Sequence, residues 1–150
     1  MGFSKTSEAR LSTCESYLQK VFNKAIELSH IDFGIAQGER TIELQRQYFN
    51  EGKSKVNPDA YTQEVLPLKG KHITNLAYTK AGAVDIYAYI NGAASWDVKS
   101  LCYIAGVIMS IDKSLENRMR WGGNWNMDGE IISDQNFQDL PHFEMVIRTK

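Results

Sequence analysis

Ala83-Val-Asp-Ile-Tyr-Ala-Tyr-Ile90, closed by Asn91-Gly92, is the stretch on which the architecture turns. Val84, Ile86, Ala88 and Ile90 share one parity and Asp85, Tyr87 and Tyr89 the other, the period of a half-buried strand. Asn-Gly directly after it is a tight-turn signal, because both residues tolerate the left-handed backbone that such a turn requires. The parity repeats at the far end of the chain. A closing strand is expected from His142 to Arg148, with Phe143, Met145 and Ile147 facing the core and His142 and Glu144 facing away. Two shorter strands are expected at Ile31–Ala36, where Ile31, Phe33 and Ile35 alternate, and at Arg118–Trp121.

Around these strands the period changes from two to between three and four. Leu11, Cys14, Leu18, Val21, Phe22, Ala25 and Leu28 predict one amphipathic helix from about Glu8 to Leu28. A second is expected from Thr41 to Asn50, stopped at Gly52. A third, capped by Ser95 with Asp97 in its first turn, carries Trp96, Leu101, Ile104, Ala105, Ile108 and Ile111 as a buried stripe to about Leu115. The sum is an α+β fold: a small antiparallel sheet packed against helices, one domain over 1–150. Lys53–Lys80, with Pro58, Pro67 and Gly70 and few periodic apolar residues, reads mostly as loop. Loops of that length are more often functional than not.

Composition excludes several classes of function. The 150 residues carry 17 Lys plus Arg and 18 Asp plus Glu, a net charge of −1, so nothing provides the basic footprint that nucleic acid requires. The longest apolar stretch, Leu101–Met109, is far too short to span a bilayer, and membrane insertion is not expected. Met1–Arg10 contains no apolar segment of the secretory type. Cys14 and Cys102 both fall on apolar helical positions, as buried thiols of a protein made in a reducing compartment do.

The chemistry narrows to a few side chains. Of the three histidines, His30 ends a helix, where a cationic ring suits the carbonyl dipoles. His72 lies in Leu68-Lys-Gly-Lys-His72 and His142 in Leu140-Pro-His-Phe-Glu144. Asp85 and His142 both leave the core side of their strands, so a common sheet would bring them to one face, where a loop histidine can join them. Two imidazoles and a carboxylate form a usual three-ligand zinc set with a fourth position open. A solvated sheet face has the same parity, and parity alone leaves both readings standing. Asp139 precedes His142 by three positions. It is either a carboxylate that exchanges protons with an attacking water or a turn residue ahead of Pro141. Asn124–Gln135 has the oxygen spacing of a calcium loop, but Asn124 and Gln135 stand where such a loop wants anionic ligands. A plain turn is the expectation there.

Gly38-Glu-Arg-Thr41 with Gln45, Glu51-Gly-Lys-Ser54, His72, Gly82-Ala-Val-Asp85, Arg120-Trp-Gly-Gly123 and Asp139-Leu-Pro-His-Phe-Glu144 occur in this order. Together they resemble the LAS-type zinc peptidases of the M15 family, especially the phage L-alanyl-D-glutamate endopeptidases and the VanY-like D-alanyl-D-alanine carboxypeptidases. The resemblance runs from about Phe33 to Ile147. It implies Zn2+ as cofactor, with His72, Asp85 and His142 as ligands, on the open face of the sheet. It further implies Asp139 as the catalytic acid/base and Arg40 as the cation that steadies the oxyanion. Asp85 follows His72 by thirteen positions, a longer spacing than the family's, and Gly70 stands in place of the family's serine, so the intervening Ile73–Ala81 segment must loop out.

The implied function is hydrolysis of the L-alanyl-D-glutamate bond in the stem peptide of bacterial peptidoglycan, by a monomer. The protein would be made in the host cytoplasm without a signal peptide and act on the wall after release. The alternatives are a D-alanyl-D-alanine carboxypeptidase and a non-catalytic peptidoglycan-binding domain on the same fold.

Overall fold

The structure, a computed structural model, describes residues 2–39, 42–53, 81–124, 127 and 139–146, leaving aside the side chains of Ile42 and Gln45. Two helices, α1 (Lys5–Leu11) and α2 (Ser16–Leu28), stand where the sequence predicts one over Glu8–Leu28. A tertiary contact makes the break. The Glu15 N–H donates to the Ala81 carbonyl (2.9 Å) and the Ala81 N–H to the Thr13 carbonyl (3.1 Å), diverting groups that a continuous helix would pair internally. The Ser12 and Thr13 hydroxyls donate to the Ala9 and Arg10 carbonyls, which satisfies the orphaned end of α1. The apolar period survives the break, since Leu11, Cys14, Leu18, Val21, Phe22 and Ala25 are all buried. Leu28 departs from it and lies exposed on the last turn.

β1 (Phe33–Gln37) leads towards α3 (Ile42–Asn50), which ends at Gly52 with a left-handed φ of 77°, as expected. β2 (Ala83–Ile90) turns through Asn91 (φ 51°) and Gly92 (φ 80°) into β3 (Ala93–Ser95). This short strand displaces the expected helix start. Ser95 belongs to β3, and the cap of α4 (Val98–Ser114) is Asp97, whose carboxylate accepts from the Ser100 N–H (3.0 Å) and hydroxyl (2.9 Å). Trp96 therefore precedes the helix and is exposed, whereas Leu101, Ile104, Ala105, Ile108 and Ile111 form the buried stripe. β4 (Met119–Gly122) and β5 (Asp139–Met145) complete the set. β5 begins three residues earlier than the sequence predicts, and Ile147 lies outside the described residues.

The five strands form one antiparallel sheet in the order β1-β2-β5-β4, with β3 also paired to β2. The architecture is α+β, as expected. α2 and α4 cover one face, where Phe22 meets Phe143 edge to face at 5.6 Å and Val84, Ile86, Met119 and Met145 are buried. α1 seals the outer edge of β1: the Ile35 N–H donates to Ser7 Oγ and Arg10 donates to the Ile35 carbonyl, both at 3.0 Å. Fully buried Asp112 ties the end of α4 to its neighbours, accepting from the Tyr17 hydroxyl (2.6 Å) and from the Arg118 (2.8 Å) and Met119 (3.2 Å) N–H groups. Burial and the bond to Asp112 push the Tyr17 pKa up to about 12. Cys14 and Cys102 are free thiols. No described helix is long and apolar enough to cross a membrane.

Candidate functional site

The face of the sheet away from α2 and α4 gathers the polar side chains that strand parity assigned to it. Asp85 on β2 is the register partner of His142 on β5, so the two side chains leave the sheet side by side. His142 Nδ1 lies 2.9 Å from Asp85 Oδ1.

Asp139 reaches the same place by a different route. Positions three apart on a regular strand lie about 10 Å from one another and point to opposite faces. Here the β4–β5 register slips: Trp121 pairs with Phe143, and Gly122 already pairs with Asp139. Leu140, Pro141 and His142 form the surplus, and a proline without an N–H fits such an interruption. The Trp121 indole N–H pins the irregularity by donating to the Leu140 carbonyl (2.7 Å). A Cβ on Gly122 would collide with the Asp139 carbonyl oxygen, so the glycine is what lets β4 come this close. As a result one donor atom each from Asp85, Asp139 and His142 lies within 4.8 Å of the others.

Beyond these three the network continues. His142 Nε2 lies 3.0 Å from Glu144 Oε1, and Arg120 Nη2 donates to Glu144 Oε2 at 2.8 Å. Glu144 and Arg120 are themselves register partners across β5 and β4. The His142 side chain is only 12% exposed and that of Glu144 9%, so these are charges largely withdrawn from water. Burial pulls the His142 pKa down, but the bonds to Asp85 and Glu144 and their negative charges more than reverse this and push it up to about 10. Near neutral pH, with no metal competing for it, the ring therefore favours its doubly protonated, cationic form.

Of the site residues expected from sequence, Asp85, Asp139 and His142 are brought together, while Arg40 and His72 lie outside the described residues. The backbone leading to Arg40 does start at the site: Gln37 is the register partner of Asp85 on the opposite edge of β2. Gly38 follows at a close approach, where a Cβ would strike the Arg10 carbonyl and Thr13 Oγ1, and Thr13 Oγ1 accepts from the Glu39 N–H (2.8 Å). His30 is exposed in the turn between α2 and β1. Of the Asn124–Gln135 loop, only Asn124 and Met127 are described. Glu144 and Arg120 received no role from sequence. Parity already placed Glu144 beside His142, but the tie to Arg120 depends on the β4–β5 register.

The geometry has close relatives. The family described as phage L-alanyl-D-glutamate peptidase matches residues 1–146. The chain belongs to that family. It is 33% identical to the L-alanyl-D-glutamate peptidase of Escherichia phage T5 over 147 residues, covering 96% of this chain and 97% of the relative. The crystal structure of Serratia marcescens L-Ala D-Glu endopeptidase ChiX superposes with a TM-score of 0.73, covering 97% of this chain and 90% of that one. At 23% identity, that likeness concerns the fold. For this member of the phage peptidase family, the Asp85–Asp139–His142 cluster is a set of oxygen and nitrogen donors able to hold a metal ion.

Proposed function

We propose that the chain is a zinc-dependent endopeptidase that hydrolyses the L-alanyl-D-glutamate bond of peptidoglycan stem peptides. The observation that carries the reading is the convergence of Asp85, Asp139 and His142 at one point of an open sheet face, in a chain of this family. The donor set fits zinc. Tetrahedral ligands about 2.0–2.1 Å from an ion stand about 3.3 Å from each other, and the Asp85–His142 pair at 2.9 Å needs to open by only a few tenths. In this reading Asp85 and His142 are ligands, with His72 as the third.

When bound, zinc acts as a Lewis acid on the scissile carbonyl and makes an attacking water more acidic. The rest is done by side chains of this chain. Asp139 takes the proton of the attacking water at a carboxylate oxygen and returns it to the leaving amine. Arg40 offers its cationic guanidinium to the developing oxyanion. An endopeptidase of this kind needs a groove that lets the peptide continue on both sides of the cut. The enzyme acts on the wall from outside the membrane, after release from the cell that made it.

Digestion of purified peptidoglycan, with mass spectrometry of the products, tests this. New N-terminal D-glutamate is the expected product. Free D-alanine with intact L-alanyl-D-glutamate bonds would mean a carboxypeptidase, and no products with sustained binding to the wall would mean a binding domain.

A further inference from the structure

The catalytic reading leaves two charged groups unused. Glu144, as sheltered as His142, and the one-third exposed Arg120 sit next to the cluster, and no step of hydrolysis needs either. Four side chains form one line of contacts across the open face: Asp85 to His142 at 2.9 Å, His142 to Glu144 at 3.0 Å, and Glu144 to Arg120 at 2.8 Å. The order matters. Asp85 meets the ring at Nδ1 and Glu144 meets it at Nε2, so the two carboxylates face different ring nitrogens.

We infer that Glu144, anchored by Arg120, is a positioning residue that dictates which nitrogen of His142 is offered to a metal. A neutral imidazole carries one proton, and that proton must sit on the nitrogen that does not bind the ion. Glu144 Oε1 is an anionic acceptor 3.0 Å from Nε2, so it holds the proton there and leaves the Nδ1 lone pair on the side of Asp85. A carboxylate behind a ligating histidine also makes the ring a stronger donor and prevents its rotation. Arg120 supplies what a lone glutamate lacks. Its guanidinium binds the other oxygen, Oε2, from the neighbouring strand and so holds the carboxylate in orientation. Both partners are set by β-sheet register and not by a mobile loop, which suits a part that must not move.

This inference rests on the metal reading above, and the test separates the two. Zinc affinity is measured by competition with a chromophoric chelator on the folded parent, on Glu144→Ala, Glu144→Gln and Arg120→Met, and on Tyr17→Phe, which removes a hydrogen bond to Asp112 inside the core and touches none of the four side chains. Removing an outer carboxylate of this kind weakens metal binding about 10–100-fold. That loss is expected for Glu144→Ala. Glu144→Gln keeps an acceptor for the Nε2 proton but not the charge, so it should fall between parent and Glu144→Ala, and Arg120→Met should do likewise. Tyr17→Phe should bind zinc as the parent does, although it is less stable. A role in folding alone would instead lower affinity in Tyr17→Phe as much as in Glu144→Ala, and that result overturns the inference. So does a Glu144→Ala affinity within about threefold of the parent. If Glu144→Ala does not fold, the same threshold applies to Glu144→Gln and Arg120→Met together. A parent that binds no zinc overturns both this inference and the metal reading. A parent that binds zinc while indifferent to Glu144 overturns this one alone.

Discussion

His142 makes the metal-free protein dependent on pH in a direction opposite to that of its carboxylates. Its pKa stands at about 10 in the folded chain against an ordinary 6.5, because the contacts with Asp85 and Glu144 outweigh the burial that opposes charge. A group whose pKa is raised by folding stabilises the native state fully below its unfolded value and loses that contribution as pH rises through the folded one. The window here runs from about 6.5 to about 10. Each unit of pKa difference corresponds to about 1.4 kcal/mol, so the full contribution is on the order of 4–5 kcal/mol, a large share of a domain's total stability. Integrated between pH 6.5 and 9.5, the loss is roughly 3–4 kcal/mol. The assay is urea unfolding of chelator-treated protein at pH 6.5, 8.0 and 9.5, on the parent and on His142→Gln. The variant cannot take up the proton, so groups elsewhere in the molecule cancel in the difference between the two. The parent should start well above the variant at pH 6.5 and converge on it by pH 9.5. A gap that stays constant across this range would refute the reasoning.

Asp139→Ala should keep both fold and zinc while losing about 10²–10⁴ in turnover, because its carboxylate serves the water; loss of the metal in this variant would make Asp139 a ligand instead. His72→Ala should lose zinc, read by metal analysis of the purified protein, whereas His30→Ala, changed at an exposed turn position, should retain it. Tyr17→Phe removes the donor that Asp112 accepts at 2.6 Å inside the core. Chemical denaturation should show a loss of about 1–3 kcal/mol with little change in cleavage rate. Gly122→Ala pushes a methyl group into the Asp139 carbonyl, so activity should fall more than stability does if the β4–β5 irregularity places the acid/base.

Much of this molecule is legible as periodicity. The alternation at Ala83–Ile90 and at Phe143 and Met145 assigned the core-facing residues of β2 and β5 correctly, and with them the common side of Asp85, His142 and Glu144. Parity is local geometry: successive side chains must leave opposite sides of a pleated backbone, whatever the strand pairs with. The ordered motifs went further and pointed to the peptidase family, which the relatives bear out. What lies beyond local geometry depends on contacts between distant segments. Ala81 splits the first helix by pairing with Thr13 and Glu15, a bond that no property of Glu8–Leu28 announces. Asp139 stands beside His142 only because the β4–β5 register slips, and Arg120 reaches Glu144 only because β4 lies next to β5. A residue type and its parity are properties of one strand; a neighbour across the sheet is a property of two, and only folding brings the two together.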